Sequence, residues 1–520
     1  MIRVDAEIDG IDGAISRARE FAASDPGNSI YDLVSAELYE KAGRVADAAA
    51  LLEKALAVRP ADDGLAIGLS GLYTRTGNLA RAEAVLTVRL QADPNNIAVG
   101  SALAPLYLTA GRPDEAKTVY DGVLSQRPND VAALSGLAHI AVGERRWPEA
   151  TDYLQRARNA APNDPAPGLR LVNLYLLHHD WQNATATASE LVDKFPTNTD
   201  VIEAQGRVQV TSGDTDRAIS TYKRGHDIAP DSLSVLSGYV GLLKSAKKLP
   251  EALAVLRTAV DRDPRNSSVK RDLIHVGAEI GGLEVGLAAA RDFAKSDPDN
   301  SLYDVVSAEL YEKAGRGEQA ARLLEKAVAA RPSDTDLTLA LARMYKRAGA
   351  PAKAETLLKA RLKAEPMDFA VRSDLAFLYV EQKRDVAAIA EYSLLIDGHP
   401  RDLSALNNLA RLLQRQGELT KARDLAERAL AISPSDARVT NTLGWILLNQ
   451  GEAARAVAYL TAADLSAPGS PNIQYHLAVA LERAGRAADA RAMLETLLGS
   501  GGSFAEKAEA EKLLQELKRG

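Results

Sequence analysis

The chain has 520 residues, with 63 Lys and Arg against 70 Asp and Glu, and a net charge of −7 at pH 7. This balance excludes the basic surface typical of nucleic-acid binding, and the absence of cysteine excludes disulfides, thiolate metal sites and cysteine nucleophiles. No apolar run approaches the roughly 18 residues of a membrane-spanning helix, so we expect neither a nucleic-acid partner nor a transmembrane segment.

Prolines set the period of the chain, because fourteen of them recur at a constant spacing of 34 positions. They are Pro26, Pro60, Pro94, Pro128, Pro162, Pro196, Pro230, Pro264, Pro298, Pro332, Pro366, Pro400, Pro434 and Pro468. A fixed period of a few tens of residues is typical of a solenoid, in which each repeat buries its apolar face only against its neighbours. We therefore predict one array of repeats rather than several globular domains.

The N-terminal residues 1–28 are predicted to be the remainder of a further repeat that begins inside its first helix. Ala14 lies twelve positions before Pro26, where the later repeats also have a small residue. The chain contains an eight-repeat duplication, and in the alignment of its two copies Met1 matches Leu273, which lies in the middle of a predicted helix. We therefore expect the chain to be a fragment whose upstream repeats are missing.

Each of the fourteen units from 29–62 to 471–504 is predicted to be a pair of helices. A small residue, which allows close helix crossing, lies 22 positions after each proline: Ala48, Ala82, Ala116, Ala150, Ala184, Ala218, Ala252, Gly286, Ala320, Ala354, Ala388, Ala422, Ala456 and Ala490. Most units have a glycine 17 positions after the proline, where a helix end requires positive φ: Gly43, Gly77, Gly111, Gly213, Gly281, Gly315, Gly349, Gly417, Gly451 and Gly485. The proline ends the second helix, and an Asp, Asn or Ser after it caps the next one.

The small-residue, tyrosine and proline positions, at a period of 34, resemble the tetratricopeptide repeat family. The tyrosines recur thirteen positions after the proline: Tyr39, Tyr73, Tyr107, Tyr175, Tyr311, Tyr345 and Tyr379. The resemblance implies an all-α solenoid, a right-handed superhelix of helix-turn-helix repeats. We expect residues 505–520 to be a C-terminal capping helix that covers the last unit with its apolar Leu513, Leu514 and Leu517.

A longer period of eight repeats lies on top of the first. YDLVSAELYEKAGR at 31–44 returns as YDVVSAELYEKAGR at 303–316. We infer that an eight-unit block was copied whole, and we expect residues 29–62 and 301–334 to superpose closely.

The sequence contains no catalytic constellation. The motifs HExxH, CxxC, GxSxG and the phosphate-binding GxxxxGK followed by Ser or Thr are all missing. His178 and His179 stand beside Asp180, but adjacent helical residues point apart and do not converge on one ion, so a solvated turn is expected. We predict a chain that is not an enzyme and holds neither metal nor cofactor.

The tryptophans indicate where a partner would bind. Trp147 and Trp181 both start second helices and are predicted to pack between helices, whereas Trp445 lies in a first helix on the stripe that lines the concave groove of tetratricopeptide arrays. The predicted partner-binding residues are Asn407, Asn408, Arg411, Arg415, Asn441, Trp445, Tyr475 and His476, with Arg483 at the rim. Amides, aromatics and arginines suit an extended peptide of another protein or a glycan. The alternative is that Trp445 packs on the C-terminal capping repeats.

The runs 407–452 and 473–498 resemble the end of the tetratricopeptide lipoproteins associated with PEP-CTERM/exosortase systems of Gram-negative bacteria. This resemblance implies a periplasmic, membrane-associated scaffold linked to exopolysaccharide production or surface-protein sorting. No cysteine is present to carry the lipid, so the anchor is assigned to no residue here. Two alternatives stay open: a cytoplasmic adaptor for peptide tails, and the regulatory portion of a larger enzyme such as a glycosyltransferase.

Overall fold

The computed structural model describes residues 10–25, 27–499 and 502–519, and these residues form thirty helices and no strand. Residues 1–9 of the predicted partial repeat, including Met1, lie outside the described residues, as does Pro26. None of the described helices is both long enough and apolar enough to cross a membrane.

The helices follow one another in chain order and alternate between first and second helices of each repeat from α2 onwards. Their bounds are α1 Gly10–Ser24, α2 Ile30–Lys41, α3 Val45–Val58, α4 Asp63–Arg75, α5 Leu79–Ala92, α6 Ile97–Thr109, α7 Pro113–Gln126, α8 Val131–Gly143, α9 Trp147–Ala160, α10 Ala166–Leu177, α11 Trp181–Lys194, α12 Thr199–Thr211, α13 Thr215–Ile228, α14 Leu233–Ser245, α15 Leu249–Arg262, α16 Ser267–Gly281, α17 Leu283–Ser296, α18 Leu302–Lys313, α19 Gly317–Ala330, α20 Thr335–Arg347, α21 Pro351–Ala364, α22 Phe369–Glu381, α23 Asp385–Gly398, α24 Leu403–Arg415, α25 Leu419–Ile432, α26 Ala437–Asn449, α27 Ala453–Ser466, α28 Pro471–Arg483, α29 Ala487–Gly499 and α30 Lys507–Arg519.

The helix starts are fixed by the polar residues that follow the prolines. The Asp62 carboxylate accepts a hydrogen bond from the Leu65 backbone N–H at 2.9 Å, and Asp402 accepts one from Ala405 at 2.8 Å. Asparagine acts in the same way at Asn96. These caps satisfy N–H groups that have no partner inside the helix, which confirms the predicted role of these residues.

The small residue 22 positions after each proline is the tight crossing point of every helix pair. All thirteen alanines at this position are fully buried, as is Ala14. At the one glycine, Gly286, an added Cβ would lie 2.6 Å from the Ala278 Cβ and 2.7 Å from Leu310 Cδ1. No larger residue fits there without moving a helix, so the prediction is confirmed.

The turn inside each repeat uses a left-handed residue. Nine of the ten predicted glycines have φ between 66° and 86°. The prediction for Gly281 is wrong by one position, because α16 continues through Gly281 and it is Gly282 that has φ 81°. In the four repeats without glycine the left-handed position is taken by Arg145, His179, Lys247 or Lys383.

The helices fall into two compact units whose limits lie in proline turns. One unit contains the described residues up to Pro162 and those from Arg401 onwards, and the other contains Asn163–Pro400. Within each, the core is a row of apolar clusters between neighbouring helix pairs, such as the cluster around Leu52, Leu69 and Leu86 in the first unit.

The first unit also contains a contact between residues that are far apart in the sequence. Arg455 of α27 donates hydrogen bonds from Nε and Nη2 to the Ala110 carbonyl at 3.2 and 3.0 Å, and the Tyr459 hydroxyl donates to the Thr109 carbonyl. The Tyr459 ring lies against Gly111 and is only 4% exposed. The turn between α6 and α7 is therefore covered by α27, a contact that the repeat pattern does not indicate.

The C-terminal helix α30 packs on the last repeat. Leu513, Leu514 and Leu517 lie partly buried against a cluster that includes Leu494 and Leu497. The apolar stripe of α30 thus faces the end of the array, while the helix carries Lys507, Glu509, Lys518 and Arg519 in its first and last turns.

The expectation that both second-helix tryptophans pack between helices is wrong for Trp181. Trp147 is partly buried, but Trp181 is 38% exposed and its ring centroid lies 5.1 Å from that of His179. His179 occupies the left-handed turn position, which brings its ring beside the start of α11. The aromatic pair therefore covers the turn instead of the helix crossing.

Candidate partner-binding site

The predicted site residues lie on three successive first helices, α24, α26 and α28. Asn407, Asn408, Arg411 and Arg415 belong to α24; Asn441 and Trp445 belong to α26; Tyr475 and His476 belong to α28. Counted from the proline of each repeat, they occupy the register positions 7, 8, 11 and 15. These positions share one face of the helix because their spacings follow its period.

The structure brings Trp445, His476 and Asn441 together. The Trp445 and His476 rings are stacked, with centroids 4.0 Å apart and planes 18° from parallel. His476 Nδ1–H donates to the Asn441 side-chain oxygen, 2.8 Å away, which fixes the orientation of the imidazole. One face of the indole is thus covered by His476, while the residue as a whole remains partly exposed.

His476 is neutral at pH 7. Burial lowers the pKa of His476 to about 4, and the nearby positive charge of Arg411 acts in the same direction. The neutral imidazole can donate from Nδ1 and accept at Nε2, whereas the protonated ring could only donate. The cluster therefore presents an uncharged aromatic surface next to the exposed Arg411.

Tyr475 connects the aromatic cluster to the end of the array. Its ring centroid lies 6.5 Å from that of Trp445, and its side chain packs against the cluster formed by α28, α29 and α30. Burial raises the pKa of the Tyr475 hydroxyl, and Glu509 and Glu506 act in the same direction. The aromatic side chains are therefore held by packing on one side.

Of the α24 residues, Asn407 is not placed for direct contact with a partner. It is only 8% exposed, and its Oδ1 has no hydrogen-bond partner among the described residues. Asn408 is partly buried, whereas Arg411 and Arg415 are exposed. The arginines are accessible at this face and Asn407 belongs to the interior.

Two surface features were missed in the sequence. Phe377 of α22 lies eleven positions after Pro366, the same register as Trp445, and is 46% exposed, with Lys346 Nζ 4.7 Å from its ring centroid. The second feature is a cavity between α2 and α4, lined in part by Gly68 and Gly71. The register position alone would have found Phe377, and the glycine pair of α4 is the sequence signal for the cavity, although the same pair recurs in α14 as Gly238 and Gly241.

The His, Asp and Glu side chains of the described residues do not form metal-type clusters. No group of three or more His, Asp or Glu side chains in that part of the chain converges as metal ligands would. His178 follows the end of α10, His179 lies in the turn, and Asp180 caps α11 by accepting from the Asn183 N–H at 3.1 Å. These three residues form a turn, as the sequence indicated.

Helix pairs that recur in a constant register define the class of all-α solenoids. Tetratricopeptide repeat profiles match residues 39–106, 88–140, 107–171, 209–271, 311–376 and 447–517, and two further profiles of the same repeat match 403–433 and 10–64. The chain belongs to the tetratricopeptide repeat family. Proteins of this family are generally scaffolds for other proteins.

Three solved structures match the chain at low similarity. The structure of Naa15/Naa10 bound to HypK-THB has 16% identity over 94% of this chain and 78% of that chain, with a TM-score of 0.36. The APC/C hetero-tetramer Cut9-Hcn1 has 15% identity, coverages of 93% and 95%, and a TM-score of 0.39. A tetratricopeptide repeat protein from Parabacteroides merdae has 19% identity, coverages of 47% and 97%, and a TM-score of 0.32. The comparison with curated protein sequences returns no match.

Proposed function

We propose that this protein is a non-catalytic scaffold that holds extended segments of other proteins along the face formed by its first helices. The observation that carries the proposal is the Trp445 cluster. Trp445 is a large, partly exposed ring on a register that holds polar residues in most other repeats, such as Glu37, His139 and Arg343. Stacking on His476 limits the motion of the indole, so little rotamer freedom is lost when a partner covers it.

The exposed arginines define which partners fit the cluster. Arg411 and Arg415 supply fixed positive charge next to neutral aromatic rings. Arginine donates in a planar fork to carboxylates and backbone carbonyls, and aromatic anchors supply most of the energy in interfaces of this kind. A peptide with an apolar or aromatic side chain next to an acidic residue matches this surface.

The test uses peptides selected from a random display library on the immobilised wild-type chain. Trp445→Ala should weaken the binding of peptides that contact this cluster by about 1–3 kcal/mol, the cost of truncating an interface anchor. Trp181→Ala is the matched control, because Trp181 is an exposed tryptophan on a second helix. If Trp445→Ala lowers the melting temperature markedly and leaves all binding unchanged, the ring is a packing residue.

The proposed setting is the bacterial periplasm, in association with the membrane, in a complex for exopolysaccharide production or protein sorting. Support comes from the resemblance of residues 407–452 and 473–498 to the end of the exosortase-associated lipoproteins. The test is protease treatment of spheroplasts that express the gene from its own start codon. Digestion of the protein in intact spheroplasts supports the proposal, and protection until lysis favours the cytoplasmic adaptor.

A further inference from the structure

Two turns in the early part of the first unit lie against second helices from its late part. Gly77 lies in the turn between α4 and α5, and an added Cβ there would lie 2.9 Å from the Arg428 Cα of α25. Gly111 lies in the turn between α6 and α7, and an added Cβ there would lie 2.5 Å from Tyr459 Cε2 of α27. Glycine permits this close approach because it has no side chain.

The close approach is confined to these two turns. At every other described glycine with positive φ, an added Cβ would meet no neighbour within 4 Å. These glycines include Gly349, the counterpart of Gly77 eight repeats later. The contact therefore does not follow from the repeat itself and depends on where α25 and α27 lie.

Side chains of α27 form hydrogen bonds to the main chain at the end of α6. Arg455 donates twice to the Ala110 carbonyl, and the Tyr459 hydroxyl donates to the Thr109 carbonyl. The last carbonyls of a helix have no partner inside the helix. A guanidinium and a phenol from ten repeats later in the chain thus satisfy the end of α6.

The turn between α8 and α9 is joined to α27 by an ion pair. Arg145 Nη2 lies 3.4 Å from the Asp464 carboxylate, which is buried in a register that holds an apolar residue in most repeats, such as Leu430 and Leu498. Burial raises the pKa of the Asp464 carboxyl, and the positive charge of Arg145 acts in the opposite direction. A buried carboxylate is unfavourable unless it is paired, so Arg145 offsets its burial.

Arg145 occupies a turn position that most repeats give to glycine. Its φ is 57°, and its counterpart eight repeats later is Gly417. Glycine adopts this conformation freely, whereas a residue with a Cβ is strained in it. The first copy thus has a strained arginine at the turn that faces the Asp464 carboxylate.

This contact differs in kind from the contacts between neighbouring repeats. Neighbours share apolar clusters, such as the one around Leu52, Leu69 and Leu86. The early turns and α27 instead meet through hydrogen bonds to carbonyls, the Tyr459 ring and an ion pair whose arginine side chain is 57% exposed. Repeats of a solenoid are stabilised by their neighbours, and contacts with few buried apolar side chains open more easily than a core. Separation of the turns from α25 and α27 therefore leaves the apolar clusters intact.

We propose that this contact is a latch, which holds the early stretch 63–160 and the late stretch 419–466 together and opens without unfolding any repeat. In the closed state α27 covers the early turns, as in this structure. In the open state the Tyr459 ring, the Asp464 carboxylate and the end of α6 are exposed to water. The latch is independent of the scaffold function, because it concerns contacts within the chain.

The test is a urea titration of the full chain followed by two signals. The chain has no cysteine, so Thr118→Cys on α7 and Ala454→Cys on α27 place a donor and an acceptor dye at exposed positions on the two sides of the latch. Energy transfer between the dyes reports closure, and far-ultraviolet circular dichroism reports helix content. Energy transfer should be lost at a lower urea concentration than helicity, because the latch opens before the cores of the repeats.

Arg145→Gly combined with Tyr459→Phe should weaken the latch. The pair of substitutions removes the charge partner of Asp464 and the hydrogen bond to the Thr109 carbonyl. Glycine suits the turn and phenylalanine keeps the ring, so the repeats themselves are not weakened. The ratio of closed to open chains should fall by about tenfold, since each lost polar contact contributes a few-fold. Energy transfer should therefore be lost at lower urea than in the wild-type chain, with the midpoint of helicity unchanged or raised.

Lys247→Gly combined with Tyr153→Phe is the matched control, because it makes the same kinds of exchange at the same registers. Lys247 is an exposed turn residue with φ 59°, and Tyr153 of α9 lies at the register of Tyr459. The control should leave the loss of energy transfer where it is in the wild-type chain.

The outcomes decide between a latch and a fixed part of the fold. Energy transfer that is lost before helicity, and earlier still in the Arg145→Gly and Tyr459→Phe chain alone, supports the latch. Simultaneous loss of the two signals overturns it, because the contact then belongs to the cooperative fold. It is also overturned if this variant shifts energy transfer no more than the control does, or lowers the midpoint of helicity by as much.

Discussion

The first repeats and their copies eight repeats later share the contacts that lie inside the array. Arg75 pairs with Glu40, and Arg347 pairs in the same way with Glu312. The same holds for three other contacts, each given with its copy: Arg59–Asp32 and Arg331–Asp304, Tyr73–Glu53 and Tyr345–Glu325, Phe21–Tyr31 and Phe293–Tyr303. These residues join a repeat to itself or to its neighbour, so a change in one partner would leave the other without its contact.

The copies differ at other positions, including one beside the cavity and one in a turn. Gly71 lies beside the cavity between α2 and α4, whereas its counterpart Arg343 donates to Asp374 on the next first helix. Gly111 lies under the Tyr459 ring, whereas its counterpart Lys383 is exposed. The difference indicates that the local framework tolerates little change, while surface positions are free to acquire separate roles.

The largest expected effect comes from Gly111→Lys, which gives the first copy the residue of the second. An added Cβ at Gly111 would lie 2.5 Å from Tyr459 Cε2, and φ is 66°. We expect the free energy of unfolding to fall by about 2–4 kcal/mol, because Tyr459 must move and the backbone is strained for a residue other than glycine. Urea unfolding measures this loss of stability, and hydrogen exchange of the α27 backbone amides is the local probe. A loss below about 1 kcal/mol would show that strain alone acts and that the Tyr459 contact is dispensable.

A double-mutant cycle at Leu33 and Gly68 tests how the copies pack. Gly68→Ala alone should cost about 1–2 kcal/mol, because the new Cβ would lie 2.3 Å from Leu33 Cδ2. Adding Leu33→Val reproduces the Val305 and Ala340 pair and should recover most of the loss, with a coupling of about 0.5–3 kcal/mol. Denaturant midpoints of the three variants provide the cycle. Strict additivity would mean that the two sites pack independently.

A gain of stability is expected from Lys383→Gly, the reverse exchange at the turn. Lys383 has φ 58°, a conformation that a side chain with Cβ adopts at a cost of roughly 1–2 kcal/mol and glycine adopts freely. Since glycine also loses more entropy on folding, the net gain should be about 0.5–1 kcal/mol. Melting curves are the measurement, and Lys244→Gly within α14 is the control that should instead lose stability. A neutral or destabilising Lys383→Gly would show that its side chain stabilises the turn.

The smallest effect is expected for the shared ion pairs. Arg75→Ala and Arg347→Ala should each lower the free energy of unfolding by about 0–1 kcal/mol, and the two losses should be similar. Both arginine side chains are more than half exposed, so water screens the pairs. The difference in unfolding free energy between the wild-type chain and each variant should be smaller at high salt than at low salt. A cost that is large in only one copy would mean that the two pairs are not equivalent.

Local features of the fold were predictable because each depends on a few residues. The crossing alanines such as Ala48 need only a steric argument, and the turn glycines such as Gly43 need only their φ. The one-residue error at Gly281 arose because two adjacent glycines offer the same freedom, and only the path of α16 selects Gly282. For the candidate site, the register located Trp445 and His476 on one face, but it did not show that Asn407 is buried.

The sequence by itself determined the period, the helix pairs, their caps and the small-residue crossings, because these interactions recur in every repeat and join only neighbours. The tertiary structure decided the contact of Arg455 and Tyr459 with the turn at Ala110, the exposure of Trp181, and the cavity beside Gly71. Each of these depends on contacts between residues that are many repeats apart, or on the conformation that one side chain adopts beside another. A periodic pattern describes the contact between neighbouring repeats and contains no information on contacts that occur once.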